Sequence, residues 1–417
     1  VLSFFGRHKI LSAFLILFVI AGLWLFSRTR GPHHHYELDF LIPDPTAEIA
    51  PGQLEVGVAI RDVSPDFNDY DPWVDVNENG KFDPGIDTYE DRTGTGRFNG
   101  IWLAGFGTNR PATGINDPPW VRAIAMRNNG VTLVMVTIDS VGIFHNDFID
   151  VRKAVDASLG IDHIMFSSTH VHEVPDTMKI WSFWRRINIP KIPFLTDKPL
   201  ELDVPLFDFD DRWLEFVKAM SIEAVEEAVH NLQPADMYCA TVRVEPEGFV
   251  RDSRKPEVMD DNMYLWRFTP PGEVDETIAT FVSWGNHPEA LGGRNTIITS
   301  DFPHWLRLGL EEGVPEPNGV EGFGGVSLYF QGQLGGLMTQ LGMAVPHRDG
   351  QRMFLEDSFE KAESQGYNLA IVAANALRDP DLVWKNENPA IHVAAKTAFA
   401  KMQGHYKYAI MLGLIHE

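Results

Sequence analysis

The sequence predicts an α/β domain, a mixed β-sheet core flanked by helices, and three observations lead there. Short apolar runs of strand length recur along the chain. Longer stretches carry apolar residues at helical spacing. The two kinds are interspersed without strict alternation, and no linker divides residues 50–417. The strand-like runs are 54–60, 121–126, 131–138, 164–167, 237–244, 263–268, 278–284 and 326–330. The clearest helix is 211–232, where Trp213, Phe216, Val217, Met220, Ala224 and Val225 share one face and Asp210 stands at the N-cap. Residues 144–159, 301–312 and 354–377 are further helices by the same pattern. One large domain is therefore expected over 54–417.

Composition narrows the function. Apolar residues make up 44% and charged residues 22% of the chain, an ordinary globular balance. The net charge of −23 repels phosphate backbones, which excludes nucleic acid as a partner, and it suits cations, calcium above all. The one cysteine, Cys239, excludes an intramolecular disulfide and sits in a strand-like run as a buried thiol.

Residues 10–27, ILSAFLILFVIAGLWLFS, are uncharged over 18 positions, close to the ~20 needed to cross a bilayer. Arg7 and Lys9 precede them; Arg28 and Arg30 follow. Bulky Leu23, Trp24, Leu25 and Phe26 stand where a signal-peptide cut needs small residues. The expectation is a transmembrane signal anchor at 10–27 after a short flank at 1–9. A tether over 28–53, with His33, His34 and His35 solvated in it, then leads to a domain on the extracytoplasmic side, periplasmic or cell-surface.

An insertion at about 69–100 carries calcium chemistry. Asp75, Asn77, Asn79, Lys81, Asp83 and Asp87 fit DxNxNGxxDxxxD. Alternate oxygen-bearing side chains converge on one cation, Gly80 permits the sharp turn, and Lys81 gives its backbone carbonyl. Ile86 occupies the place of the EF-hand's closing glutamate, so Asp87 closes the loop instead. A second, degenerate copy runs through Asp91, Thr93, Thr95, Gly96 and Asn99.

The catalytic candidates are histidines. The run Ile164–Phe166 leads into Ser167-Ser168-Thr169-His170-Val171-His172-Glu173, and strand alternation would turn both imidazoles to one side. A second run, Phe281–Trp284, leads through Gly285-Asn286 to His287, and then to Ser300-Asp301. Upstream stand a glycine-bearing turn, Gly105-Phe106-Gly107, and a strand ending in Asp139. Asp139 and Asp301 are candidates for orienting the histidines, and Asn109 and Arg110 for contacting substrate. Glu173 and Glu289 are candidate bases, while His145, His163, His230, His304 and His347 carry no pattern.

In this order the pieces resemble the N-terminal catalytic domain of the neutral ceramidases, non-lysosomal zinc amidases, from about Leu54 to Met402. The resemblance implies zinc ligation by His170 and His287, with His172 assisting at the reacting centre. It also implies hydrolysis of an amide in a lipid-like or N-acyl substrate. Zinc lowers the pKa of a bound water toward about 7, enough for attack on an amide carbonyl. Two departures stand out. The family completes its site with a glutamate and a tyrosine, which the resemblance places beyond residue 417. In Leu334-Gly335-Gly336-Leu337-Met338-Thr339, Gly336 and Met338 replace the family's aspartate and serine. That leaves three readings: a ceramidase-like amidase, a metal hydrolase of another substrate, or a calcium-binding surface protein without activity. The segment 180–194, rich in Trp, Phe, Ile and Arg, suits either an acyl-chain groove at a bilayer or a capping loop.

Overall fold

The computed structural model describes residues 9–30, 33, 35–44, 46, 52–181, 184–189, 200–205, 211–334, 337–387 and 389–398. Each expected strand is present within two residues of its sequence run: β1 (Glu55–Asp62), β2 (Trp120–Asn128), β3 (Val131–Ile138), β4 (His163–Ser168), β5 (Asp236–Arg243), β6 (Asn262–Thr269), β7 (Ala279–Trp284) and β8 (Val326–Gln331). A further strand, β9 (Trp384–Asn386), follows.

These strands form two five-stranded sheets rather than one mixed core. The first runs in the order 233–234, β1, β2, β3, β4, and the second β8, β7, β6, β5, β9. Local chemistry sets their pairing. Asn129 and Gly130 both take positive φ, 53° and 74°, which is the two-residue turn that joins twisted antiparallel strands β2 and β3. Each sheet also holds one parallel pair, β3 with β4 and β7 with β8. Parallel strands end at the same side, so each sheet sends two C-terminal strand ends in one direction. Strand β3 is buried at every position, as expected of a strand covered on both faces.

Helices supply those covers. Helix α1 is Lys9–Arg30, α2 His145–Ala154, α3 Arg212–His230, α4 Asp301–Glu311 and α5 Phe359–Arg378. Along α3 the helical spacing read from sequence buries Trp213, Val217, Ala224 and Val225 in the core of the first sheet. Its N-cap position falls on Asp211, which makes no side-chain cap bond; Asp210 lies outside the described residues. Helices α4 and α5 bury Phe302, Leu306 and Leu310 with Leu369, Ala370 and Ala373 in the core of the second. Gly309 lets them meet: a Cβ there would sit 2.6 Å from that of Ala370.

Strand β8 also touches the first sheet. Thr137 Oγ1 donates to Tyr329 O at 2.8 Å, and an Arg122 guanidinium nitrogen donates to Ser327 O at 3.0 Å. Nearby, Asp139 at the end of β3 takes a bidentate bond from Arg307 of α4, at 2.9 and 2.8 Å. Burial alone would raise that carboxyl, but the Arg307 pairing, with hydrogen bonds from Ser300 Oγ and the Trp120 amide, holds it below its ordinary range. Asp139 therefore does not orient a histidine; it ties α4 to the first sheet.

The insertion at 69–100 folds around its own rings. Phe82 stacks on Phe98 at 3.9 Å between centroids, with Trp73, Tyr89 and Trp102 around them. Its first loop closes on itself. Asp75 accepts from the Asn79 and Gly80 amides, and Asp87 from those of Val76 and Asp83. Asn77 and Asn79 donate to Asp83 Oδ2, and the Lys81 amide donates to Asn79 Oδ1. The degenerate copy repeats this pattern, with Asp91 accepting from Thr95 and Gly96. Asp71, absent from the sequence motif, closes it from upstream through the Thr93 and Asn99 amides.

By internal contact the chain groups into two compact units, Ile42–Val393 and the stretches on either side of it. In the second unit, Leu38 N donates to Thr397 Oγ1 at 2.8 Å. The expected transmembrane segment 10–27 lies in α1, but no helix among the described residues is long and apolar enough to cross a membrane. The anchor expectation is thus not supported. In the aromatic, basic stretch, 184–189 pairs antiparallel with 200–205, a two-stranded ladder. Residues 190–199, Gly335, Gly336 and 399–417 lie outside the described residues.

Candidate metal centre

The two parallel pairs aim four strand ends at one place. Past the end of β4, His170 adopts φ 65°, a left-handed conformation costly for a residue with a Cβ and typical of constrained sites. Two groups beyond the end of β3 hold it there. The His170 amide donates to Ser140 O at 3.0 Å, and its Nδ1 lies 2.6 Å from Val141 O. Beyond β7, both the amide and Nδ1 of His287 reach Met338 O, at 3.0 and 2.6 Å. A ring nitrogen this close to a carbonyl must be the protonated one, so in both histidines Nε2 carries the lone pair that a metal needs.

His172 joins them. Its amide donates to Pro288 O, and a buried Arg110 guanidinium grips its carbonyl. Ring centroids of 170 and 172, 170 and 287, and 172 and 287 are 4.9, 4.8 and 5.6 Å apart. One nitrogen from each ring lies within 4.8 Å of the others, a cluster able to bind a metal ion. Burial depresses the pKa of His170 and His172, which keeps them neutral, the state that ligates. Gly105 makes room: a Cβ there would come 2.4 Å from the His172 ring. The expectation that both HxH imidazoles face one centre holds, but not by strand alternation. The strand has ended, and the left-handed turn with the Arg110 grip does the work.

Several candidates have other duties. Arg110 is fully buried and donates to Glu173 at 2.8 Å and to the carbonyls of Ala104, His172 and Asn295, so it positions His172 rather than meeting substrate. Asn109 has φ 66° and accepts from the Phe82 amide through its carbonyl, joining the site turn to the insertion. Asp301, also fully buried, accepts from the Ala290 and Phe302 amides and fixes the loop after His287; it orients no imidazole. Burial pushes its carboxyl up to about 7. Glu173 is sealed beside Arg110, and burial pushes it up to about 8 against that cation's pull. The other candidate carboxylate, Glu289, has its Oε2 3.3 Å from His172 Nδ1, within ion-pair range but off the line of a hydrogen bond. Burial would raise Glu289, yet His172 and the Thr339 hydroxyl outweigh it and hold the carboxyl low.

Thr339 donates its hydroxyl to Glu289. Met338 is buried, and only its carbonyl serves the site. Cys239 is buried in β5, its thiol pushed up to about 11, an inert core residue as expected.

Sequence reasoning missed Gln331. It ends β8 as Asp139 ends β3, a polar residue closing an apolar run, and that was the available signal. A cavity of about 210 Å³ opens at the same strand ends, lined by Asp260, Asn262, Tyr264, Ser283, Gly285 and Gln333 among others.

No family profile and no curated protein matches the chain in sequence. Solved structures do match. A ceramidase complexed with C2 and the neutral ceramidase from Pseudomonas aeruginosa each superpose with a TM-score of 0.54 at 14% identity. The match covers 79% of this chain and 45% and 46% of theirs, so it spans less than half their length. At that identity the likeness speaks for architecture alone: the chain shares the fold of the matched part of these ceramidase structures.

Proposed function

We propose that this chain is a zinc-dependent hydrolase of amide bonds in lipid-like or other N-acyl substrates. The observation that carries the reading is the pair His170 and His287. Two different sheets bring them to 4.8 Å between ring centroids, each with Nδ1 tied to a carbonyl. Bound there, zinc would supply an acidified water and polarise the scissile carbonyl. His172 takes a proton at Nε2 and passes it to the leaving amine. Glu289 at its Nδ1 steadies the imidazolium between the two transfers. The cavity lined by Asp260, Asn262, Tyr264 and Ser283 receives a polar part of the substrate. The His172→Gln variant is expected to keep its zinc and lose ~10²–10⁴-fold in kcat, the usual worth of a general acid–base; zinc loss instead would make His172 a ligand.

Burial of Met338 and the commitment of Thr339 to Glu289 favour an N-acyl substrate other than ceramide. Calcium belongs in the reading as a structural ion of the Asp75–Asp87 loop. An extracytoplasmic location suits it, since loops of extracellular modules bind at about 10⁻⁴–10⁻³ M. Elemental analysis of the purified chain, with hydrolysis of N-acyl sphingoid bases, N-acyl amino acids and esters, tests all of this. One zinc per chain, and turnover that a chelator stops and zinc restores, is expected. Calcium alone without turnover would leave a non-enzymatic calcium-binding surface protein.

A further inference from the structure

We infer that Gln331 is a positioning residue that sets the spacing of His170 and His287. Its side-chain amide lies between the two chain segments that carry them. Nε2 donates to Thr169 O at 2.9 Å and to Asn286 O at 2.6 Å, the carbonyls immediately before each histidine. Oε1 accepts from the Asn286 amide at 3.1 Å and from the Tyr329 hydroxyl at 3.0 Å. The four partners leave the amide one orientation. Turned over, its oxygen would face two carbonyls and its nitrogen the Asn286 N–H, so three of the four contacts would be repulsive; the Tyr329 hydroxyl, able to donate or accept, tolerates either. The one proton of the Tyr329 hydroxyl is shared between Gln331 Oε1 and Trp284 O, 2.7 Å away at the end of β7.

The arrangement matters because β4 and β7 belong to different sheets. No ladder hydrogen bond connects the two strands; the main-chain bond between the segments that follow them, His172 N to Pro288 O at 3.1 Å, lies beyond His170 and His287. Thr169 and Asn286 themselves are linked through one primary amide, which matches a carbonyl on one side and both main-chain polar groups of one residue on the other. Apolar side chains of equal length fill the same volume and hold neither segment. A carboxylate keeps the two acceptor bonds and turns two donor bonds into repulsion between oxygens. Zinc accepts nitrogens at about 2.0–2.1 Å, so a small drift between the segments takes one ring out of range. The inference rests on the metal reading above for its consequence, and on the hydrogen bonds alone for its geometry.

Gln331→Met and Gln331→Glu test it in the full chain. Zinc affinity measured by competition with a chromophoric chelator is expected to fall ~10–100-fold in both, the range found when a group supporting a metal ligand is removed. The visible spectrum of the cobalt-loaded protein is expected to change shape. A loss of packing alone would spare the Glu variant's spectrum or lower melting temperature without touching affinity. The second readout needs no metal. In the wild type, ¹⁵N shifts of the His170 and His287 imidazoles should report protonated Nδ1, and both variants should shift or broaden those signals. Wild-type affinity and unchanged imidazole shifts in both variants overturn the inference. A wild type that binds no zinc overturns the hydrolase reading instead, and the shifts then decide the role of Gln331 by themselves.

Discussion

The His287→Ala variant is expected to lose zinc and activity together while remaining folded. The ring donates from Nδ1 to Met338 O, and removing a bond of that kind costs about 1 kcal/mol. The rest of the segment stays in place, because the main-chain amide still reaches Met338 O and Gln331 still holds Asn286. Loss of a ligand should exceed the ~10–100-fold that a supporting group costs in affinity. Turnover should fall with it, and His170→Ala should match it. The double variant should be no worse than either single one, since the two rings act as one unit. Zinc per chain, kcat/KM and melting temperature, measured together, check this. A folded His287→Ala protein that retains full zinc and turnover would place the centre elsewhere.

Asp139→Ala is expected to act on the fold instead. It strands Arg307, a guanidinium 1% exposed, without its carboxylate. It also removes the acceptor of Ser300 Oγ and of the Trp120 amide. Breaking a buried pair by deleting one partner costs about 3–5 kcal/mol, a large share of the ~5–15 kcal/mol of a whole domain. Urea unfolding should show the extrapolated unfolding free energy falling by that amount. The sign with pH follows from the lowered carboxyl. In the wild type the contribution is complete above the unfolded value of about 3.9 and fades as pH falls through the lower folded value. The gap between wild type and variant should therefore close only in strong acid. An Asp139→Ala protein as stable as wild type at neutral pH would show the pair to be dispensable.

These two cases mark what was legible in the sequence. Strand runs such as 131–138 were readable because continuous apolar stretches leave few alternatives, and α3 because its buried face repeats at helical spacing. His170 and His287 were readable because each follows a strand run and belongs to a pattern shared with a known family. The partners of the polar residues were not. Asp139 and Asp301 look alike in sequence, as carboxylates near a histidine, yet one pairs with an arginine on a helix and the other caps two amides. Such partners lie 161 or more residues away for Ser300 and Arg307, and nothing in local pattern encodes them. The division into two sheets was hidden for the same reason, since strand runs carry no record of which neighbours they choose. Gln331 was passed over because an amide carries no charge and no metal affinity, so no chemical motif singles it out.

The Val141 and Met338 carbonyls that hold the two imidazoles are main-chain atoms, which every amino acid supplies. Substitution at those positions changes the decoration and leaves the grip. The placement of the rings is thus a property of the chain path and survives changes in the residues that line it, which accords with a shared architecture at 14% identity.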